Sequence, residues 1–475
     1  MLEPHEVDFP PLPLARFRPL IGEHRYADLE TVVAMMRALL RDADIWNVNS
    51  TGRGGGVAEM LQVLLGYGKG SGFDVRWLVI SGDPEFFAIT KRIHNRLHGV
   101  PGDDGHLGPS ELAHYRQVLA DNASAFVPMV NPGDIVLLHD PQTAGLAEAL
   151  SGAGAHTVWR CHVGTDRANE WTEEAWSFLR PFVEASEAWV FTRHAFVPLW
   201  LTGEKVAIIP PSIDPFSPKN QELTGDDVRQ ILGWIGLVAP PSDDFRARFT
   251  RRDGSIGHVI RRATIVADGP PLDPDAPLVV QVSRWDRLKD MQGVMSGFAR
   301  RVAGRVDAHL ALVGPSVDSV SDDPEGAQVL AECTAAWEAL GPDVRRRIRL
   351  VTLPMDDVDE NAAMVNAIQR HATVIVQKSL AEGFGLTVAE GMWKSKPVLA
   401  SAVGGIVDQI APGTGVLLDD PEDLDAYGDT LASMLERPET LTAMGQRARR
   451  HVLEGFIGDR HLVQYARLIR LILKA

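Results

Sequence analysis

Apolar residues fall into two kinds of run along this chain. Short, nearly continuous stretches at 44–48, 75–80, 135–139 and 157–160 predict buried strands, several of them ending in polar residues. Longer stretches carry apolar residues three and four apart and predict helices. The clearest spans 28–41, where Leu29, Val32, Val33, Met36, Leu39 and Leu40 form one stripe. Another helix is expected from about 57 to 67. A second series of strands begins at 278–282 and continues at 308–313, 348–351, 373–376 and 397–400, with helices in the gaps and a last helix near 461–473. Strands alternating with helices imply parallel sheets, so the chain reads as two α/β halves. The expected division is 1–210, 211–455 and a C-terminal helical segment, 456–475, that packs back on the first half. Residues 208–215, Ile-Ile-Pro-Pro-Ser-Ile-Asp-Pro, have the make-up of a stiff connection. From that connection to about 275 the pattern is irregular and charged, while residues 1–27 suggest an extended arm or an edge strand. Ligands of such sheets bind beyond the carboxyl ends of the strands, so a cleft between the halves is the expected site.

Composition narrows the function classes. A chain of 475 residues exceeds one ordinary core. Its net charge of −16, from 47 basic and 63 acidic residues, disfavours nucleic acid or an anionic membrane as a partner. Two cysteines, Cys161 and Cys333, give no disulfide framework and no four-cysteine metal site. The 15 histidines show no H-x-x-x-H pair on a clear helix, so no metal site is expected. The first residues lack the basic start and apolar run of a signal peptide, and no stretch of about 18 apolar residues appears. A cytoplasmic location is expected.

The most informative segment runs from Ser379 to Glu390, Ser-Leu-Ala-Glu-Gly-Phe-Gly-Leu-Thr-Val-Ala-Glu. It follows strand formers and leads into a helix expected at 386–393. A turn of this kind presents unpaired N–H groups at a positive helix N-terminus. Gly383 and Gly385 let a ligand approach the backbone. Glu382 lies in the turn and Glu390 about one helical turn inside. Together they can accept bonds from hydroxyls on two parts of one ligand, which suits a nucleotide sugar. Acids eight apart are common in so acidic a chain, so the strand, turn and helix carry this reading rather than the spacing.

Other loops add candidates. Gly52 to Gly56 follows a strand and opens a helix. It fails the G-x-G-x-x-G spacing that would make Asp83 a ribose ligand, and it fails the phosphate-loop ATPase pattern too. It remains either a ligand-contacting loop or a plain tight turn. Arg284 and Lys289 follow the strand at 278–282 and could hold a diphosphate, although basic loop residues are often only solvated. His162, after the strand at 157–160, either donates to a sugar or phosphate or is a satisfied core histidine. His139-Asp140-Pro141-Gln142 ends another strand and could line the same cleft. No G-x-S-x-G elbow is present, so a serine hydrolase has no support.

Taken together, these segments resemble the retaining glycosyltransferases of the GT-B type, with two Rossmann-like domains facing each other across a cleft, in the group marked by Glu-x7-Glu. Within that group the chain is most similar to the trehalose glycosyltransferring synthases. The resemblance rests on 46–50, 159–162, 210–215, 281–284, 322–326, 382–393 and 403–406, and is looser between 81 and 155. It implies that Arg284 and Lys289 hold a donor diphosphate and that Glu390 holds ribose hydroxyls. Glu382 and the backbone of Gly383, Phe384, Gly385 and Leu386 would hold the donor glucose. Gly54, Gly55 and Gly56 would close over the phosphates, and His162 would touch the transferred sugar. Asn49, His139, Asp140 and Gln142 are acceptor candidates. The implied reaction makes α,α-trehalose from a nucleoside-diphosphate glucose and glucose, without a tightly bound cofactor. Mg²⁺ could arrive with the diphosphate, and a homodimer would fit the family. A trehalose phosphorylase, a transferase with another acceptor, and a non-catalytic sugar or nucleotide sensor are the alternatives. One departure is visible: the family often has glycine after the lysine, where this chain has Asp290. An extra carboxylate there would weaken diphosphate binding unless it points away.

Overall fold

The computed structural model describes residues 3–52, 55–103, 105–241, 247–317 and 324–474. The chain divides into two compact units, Met1–Ser212 with Phe456–Ala475, and Ile213–Gly455. The first unit is built on a seven-stranded sheet: β1 His5–Glu6, β2 Ile45–Asn49, β3 Val75–Val79, β4 Ile135–His139, β5 His156–Cys161, β6 Ala188–Phe191 and β7 Val206–Ile208. Its order is β1-β3-β2-β4-β5-β6-β7, parallel except for the β1 edge. Strands β2 to β5 are almost wholly buried because helices cover both faces, which is why they read as continuous apolar runs. Trp46 and Trp159 are fully buried in the core on one face. On the other, Tyr465, Ala466, Ile469 and Ile472 of the C-terminal helix Gly458–Ile472 pack on Ile135, Leu137, Val158 and Val190. A charge-assisted pair, Arg25 Nε to Asp459 Oδ2 at 2.6 Å, ties that helix to the first helix.

The second unit repeats the plan. A hairpin, β8 Arg248–Thr250 with β9 Ile256–His258, precedes β10 Thr264–Val266, β11 Leu278–Val282, β12 His309–Pro315, β13 Ile348–Leu353, β14 Val374–Gln377, β15 Val398–Ser401 and β16 Val416–Leu418. The order β10-β13-β12-β11-β14-β15-β16 is parallel apart from β10. Each sheet reverses its strand order once, between β2 and β4 and between β11 and β14. Open α/β sheets bind ligands at that reversal, beyond the carboxyl ends.

Several expectations need correcting. Of the described residues up to 27 only His5–Glu6 is strand; the first helix already starts at Arg18, with Pro19 in its first turn, and bends at Gly22 (φ 77°). Only its second part shows a regular stripe, so the expected start at 28 came ten residues late. The stretch read as irregular up to 275 contains the helix Gly225–Ile235, opened by a Thr224/Asp227 capping box, and three short strands. Strands β6, β7 and β16 were not expected; at three or four residues each they are too short to show a period.

Candidate active site

In the second unit, β11 and β14 deliver two loops side by side. After β11, Asp286 accepts from Leu288 N at 2.8 Å and shapes the turn that carries Lys289. Leu380 N donates to Leu288 O at 2.8 Å, joining that turn to the loop after β14. Gln281 is fully buried and must have its amide satisfied. It donates to Lys289 O at 2.6 Å and accepts from Lys378 N at 3.0 Å, bridging the two loops. Lys289 Nζ then reaches Glu382 Oε2 at 2.6 Å, and Ser379 Oγ donates weakly to the same oxygen at 3.4 Å. Arg284 is mostly exposed and pairs with Asp286 Oδ2 at 3.1 Å.

Beyond Glu382 the chain makes the expected glycine turn. Gly385 sits at the N-cap of the helix Leu386–Trp393 with φ 82° and brings no side chain to cap the first N–H groups of that helix. The turn is held by a segment to which the sequence assigned no role. Gly404 has φ 51°, and a Cβ on it would lie 1.6 Å from Glu382 O. Gly405 N donates to Gly383 O at 3.1 Å, and Gln409 Nε2 donates to Phe384 O. Glu390 is 4% exposed. Its Oε1 lies 3.7 Å from Lys219 Nζ, while its Oε2 is buried with no hydrogen-bond partner. A buried carboxylate oxygen left without a donor is costly, and a ligand hydroxyl would satisfy it. Lys394, at the C-cap of the same helix, donates to Asn220 Oδ1 at 2.9 Å; burial pushes its ammonium down to about 7 against the opposing pull of Glu390. Lys219, Asn220, Lys378 and Lys394 went unnoticed in the sequence, having no motif to mark them.

In the first unit the carboxyl ends of β2, β4 and β5 meet in a buried polar chain. His139 Nε2 lies 3.0 Å from Asn47 Oδ1, and His139 Nδ1 lies 3.0 Å from His162 Nε2. Arg160 Nε donates to His162 Nε2 at 3.1 Å and lies 3.4 Å from its Nδ1. Arg160 donates to Tyr465 Oη at 2.8 Å and to Ile209 O at 2.9 Å, with its Nε against the His162 ring. Burial, and then the Arg160 charge, hold His139 down at about 3 and His162 well below its usual range. Asp140 has φ 64° and accepts from His162 N at 2.7 Å. Burial pushes its carboxyl up to about 7, against the lowering effects of that hydrogen bond and of Arg160.

The remaining candidates separate. Asn49 donates from Nδ2 to Thr51 O and accepts at Oδ1 from Trp77 Nε1, both at 2.8 Å, so its side chain is engaged with the fold. His139 is likewise occupied at both nitrogens. Gln142 is half-buried beside Asp140. Gly54 lies outside the described residues; Gly55 and Gly56 form the first turn of the helix Gly55–Gly70. Asp83 caps the helix Pro84–Leu97, accepting from Phe86 N at 2.8 Å, and is no ribose ligand. His94 and His98 do form an H-x-x-x-H pair at the end of that helix, with ring centroids 5.0 Å apart, which the sequence reading overlooked. Among the described residues no three His, Cys, Asp or Glu are grouped to hold a metal. Among them, too, no helix is long and apolar enough to cross a membrane.

Two Rossmann-type sheets, each with polar residues gathered at its strand-order reversal and a Glu-x7-Glu element in the second, define a glycosyltransferase of the GT-B class. Residues 351–451 match the family described as glycosyl transferases group 1. A UDP-forming α,α-trehalose-phosphate synthase from Burkholderia xenovorans has the same fold, with a TM-score of 0.66 at 16% identity over 91% of this chain and 100% of that one. Residues 47–198 match the N-terminal domain of trehalose synthase. The trehalose synthase of Rubrobacter xylanophilus is 33% identical over 458 residues, and that of Thermococcus litoralis 35%, each covering 96% of both chains. The chain belongs to the trehalose synthase family and is a glycosyltransferase of trehalose metabolism.

Proposed function

We propose that the protein transfers α-glucose from a nucleoside-diphosphate glucose to the anomeric hydroxyl of free glucose, giving α,α-trehalose with retention. The observation that carries the donor assignment is the buried, unpartnered Oε2 of Glu390, in the helix that opens just after the Lys289–Glu382 pair. A ribose hydroxyl would satisfy that oxygen, and Lys289 and Arg284 would meet the diphosphate. The helix N-terminus after Gly385, with Glu382, would take the glucose hydroxyls. Asp140 and His162 in the first unit are the residues best suited to sugar hydroxyls there. Asp140 offers a carboxylate and His162 a ring nitrogen.

Glu382 is held by Lys289 and has the role of a hydroxyl acceptor rather than a nucleophile. The reaction is then a front-face displacement. The bond from the glucose anomeric carbon to the diphosphate oxygen breaks as the bond to the acceptor oxygen forms, and the acceptor proton passes to the leaving diphosphate. Lys289, Arg284 and the helix N–H groups stabilise the charge that builds there. Because the chain supplies that charge, no tightly bound cofactor is required; Mg²⁺ would accompany the diphosphate.

The test is a product assay on purified protein with glucose plus UDP-, ADP- or GDP-glucose, beside trehalose plus phosphate. Trehalose with free nucleoside diphosphate is the expected result. Glucose 1-phosphate formed from trehalose and phosphate without nucleotide would overturn the donor assignment in favour of a phosphorylase.

A further inference from the structure

Asp290 stands where a carboxylate should harm the site, directly after the lysine assigned to the diphosphate. Its backbone is left-handed, φ 45° and ψ 48°, a conformation glycine adopts freely and Asp tolerates better than most residues. That accounts for glycine as the common residue here and for Asp as a workable replacement. Its carboxylate turns back into the protein. One oxygen accepts from Gly293 N at 3.0 Å and caps the helix Met291–Arg301. The other is ion-paired with Lys378 Nζ.

Lys378 is fully buried at the end of β14. A buried ammonium needs a counter-charge, and Asp290 is the one it has in this structure. Its main-chain N–H is held by Gln281, whose amide also holds Lys289 O. Lys378 therefore grips the Lys289–Asp290 turn from two sides. We propose that Lys378 is a positioning residue for the donor site: it cancels the Asp290 charge beside the diphosphate and fixes the turn from which Lys289 reaches Glu382. The pair is a two-residue device, in which the acid after the lysine is tolerated only with the buried cation present. This rests on the donor assignment above.

The experiment compares wild type with Lys378→Met, Asp290→Gly and the double variant. Its readouts are kcat, donor KM, melting temperature and calorimetric binding of UDP, ADP and GDP. Methionine fills the volume of the lysine but leaves Asp290 uncompensated. A carboxylate left without its counter-charge beside a diphosphate repels it through a medium of intermediate dielectric, and should weaken nucleotide binding by about tenfold or more. The double variant, which lacks both charges and regains glycine in the left-handed position, should recover to within about threefold of wild type in KM and in Kd. A merely structural pair would move the melting temperature and leave KM and Kd where they were. That result would overturn the inference, as would a double variant as impaired as Lys378→Met. Should Asp290→Gly alone not fold, Asp290→Asn, which keeps the cap, replaces it. Wild type that binds a nucleoside diphosphate yet makes no trehalose would sink the proposed reaction, while the binding loss in Lys378→Met would still decide the pair.

Discussion

Replacing Lys289 by alanine is the sharpest probe of the donor site. Its ammonium lies 2.6 Å from Glu382 Oε2, and both side chains are about one-seventh exposed. The pair therefore sits in a medium of intermediate dielectric, where a unit charge about 4 Å from another is worth about 4 kcal/mol. Part of that attraction already acts on the bound donor. Only the excess felt by the diphosphate as it leaves speeds the reaction. Loss of a comparable preorganised donor costs about 2.7–4 kcal/mol, or about 10²–10³ in kcat. The substitution also strands the Glu382 carboxylate, at about 1–3 kcal/mol of stability. Initial rates of trehalose formation at saturating donor and glucose, beside a thermal melt, separate the two effects. A folded Lys289→Ala enzyme with kcat within about threefold of wild type would refute the assignment of Lys289 to the leaving group.

Other expectations follow from the same geometry. Glu390→Gln should raise donor KM and the calorimetric Kd for the nucleoside diphosphate by about tenfold with little change in kcat, since a charged acceptor becomes a neutral one. Gly404→Ala should abolish transfer by displacing the Glu382 backbone, and circular dichroism with rate assays would show whether the fold survives. The pH dependence has two signs. His139, His162 and His461 are buried and neutral, with folded pKa values below the unfolded 6.5, so the unfolded chain binds more protons as pH falls. Each histidine should remove about 1.4 kcal/mol per pH unit below that point, and His461→Gln should make the melting temperature fall less steeply in acid. Asp140 behaves oppositely: its folded value of about 7 lies above the ordinary 3.8, so it lowers stability as pH rises between them. Asp140→Asn keeps the oxygen bonded to His162 N. It should be more stable than wild type at pH 8 and equal to it below pH 4 by thermal melt.

The sequence by itself was enough for the two α/β series, nine of the sixteen strands among the described residues and the Glu-x7-Glu turn, because buried parallel strands leave long apolar runs and glycine marks the left-handed turn after Glu382. It also singled out Asp290 as a departure. What it left open depended on pairings between distant segments. Whether Asp290 opposes the diphosphate was decided by Lys378, 88 residues away in the chain, whose charge nothing local announced. Asn49 and Asp140 look alike in sequence, each polar at or just past a strand end. Packing commits Asn49 to Trp77 and leaves Asp140 with a carboxylate raised by burial. The partners of His162 come from elsewhere too: His139 lies against its Nε2 and is itself held by Asn47, on two other strands. Local sequence determines backbone preference and which face is apolar, whereas charge compensation and hydrogen-bond direction inside a site belong to groups that only the tertiary fold brings within a few ångströms.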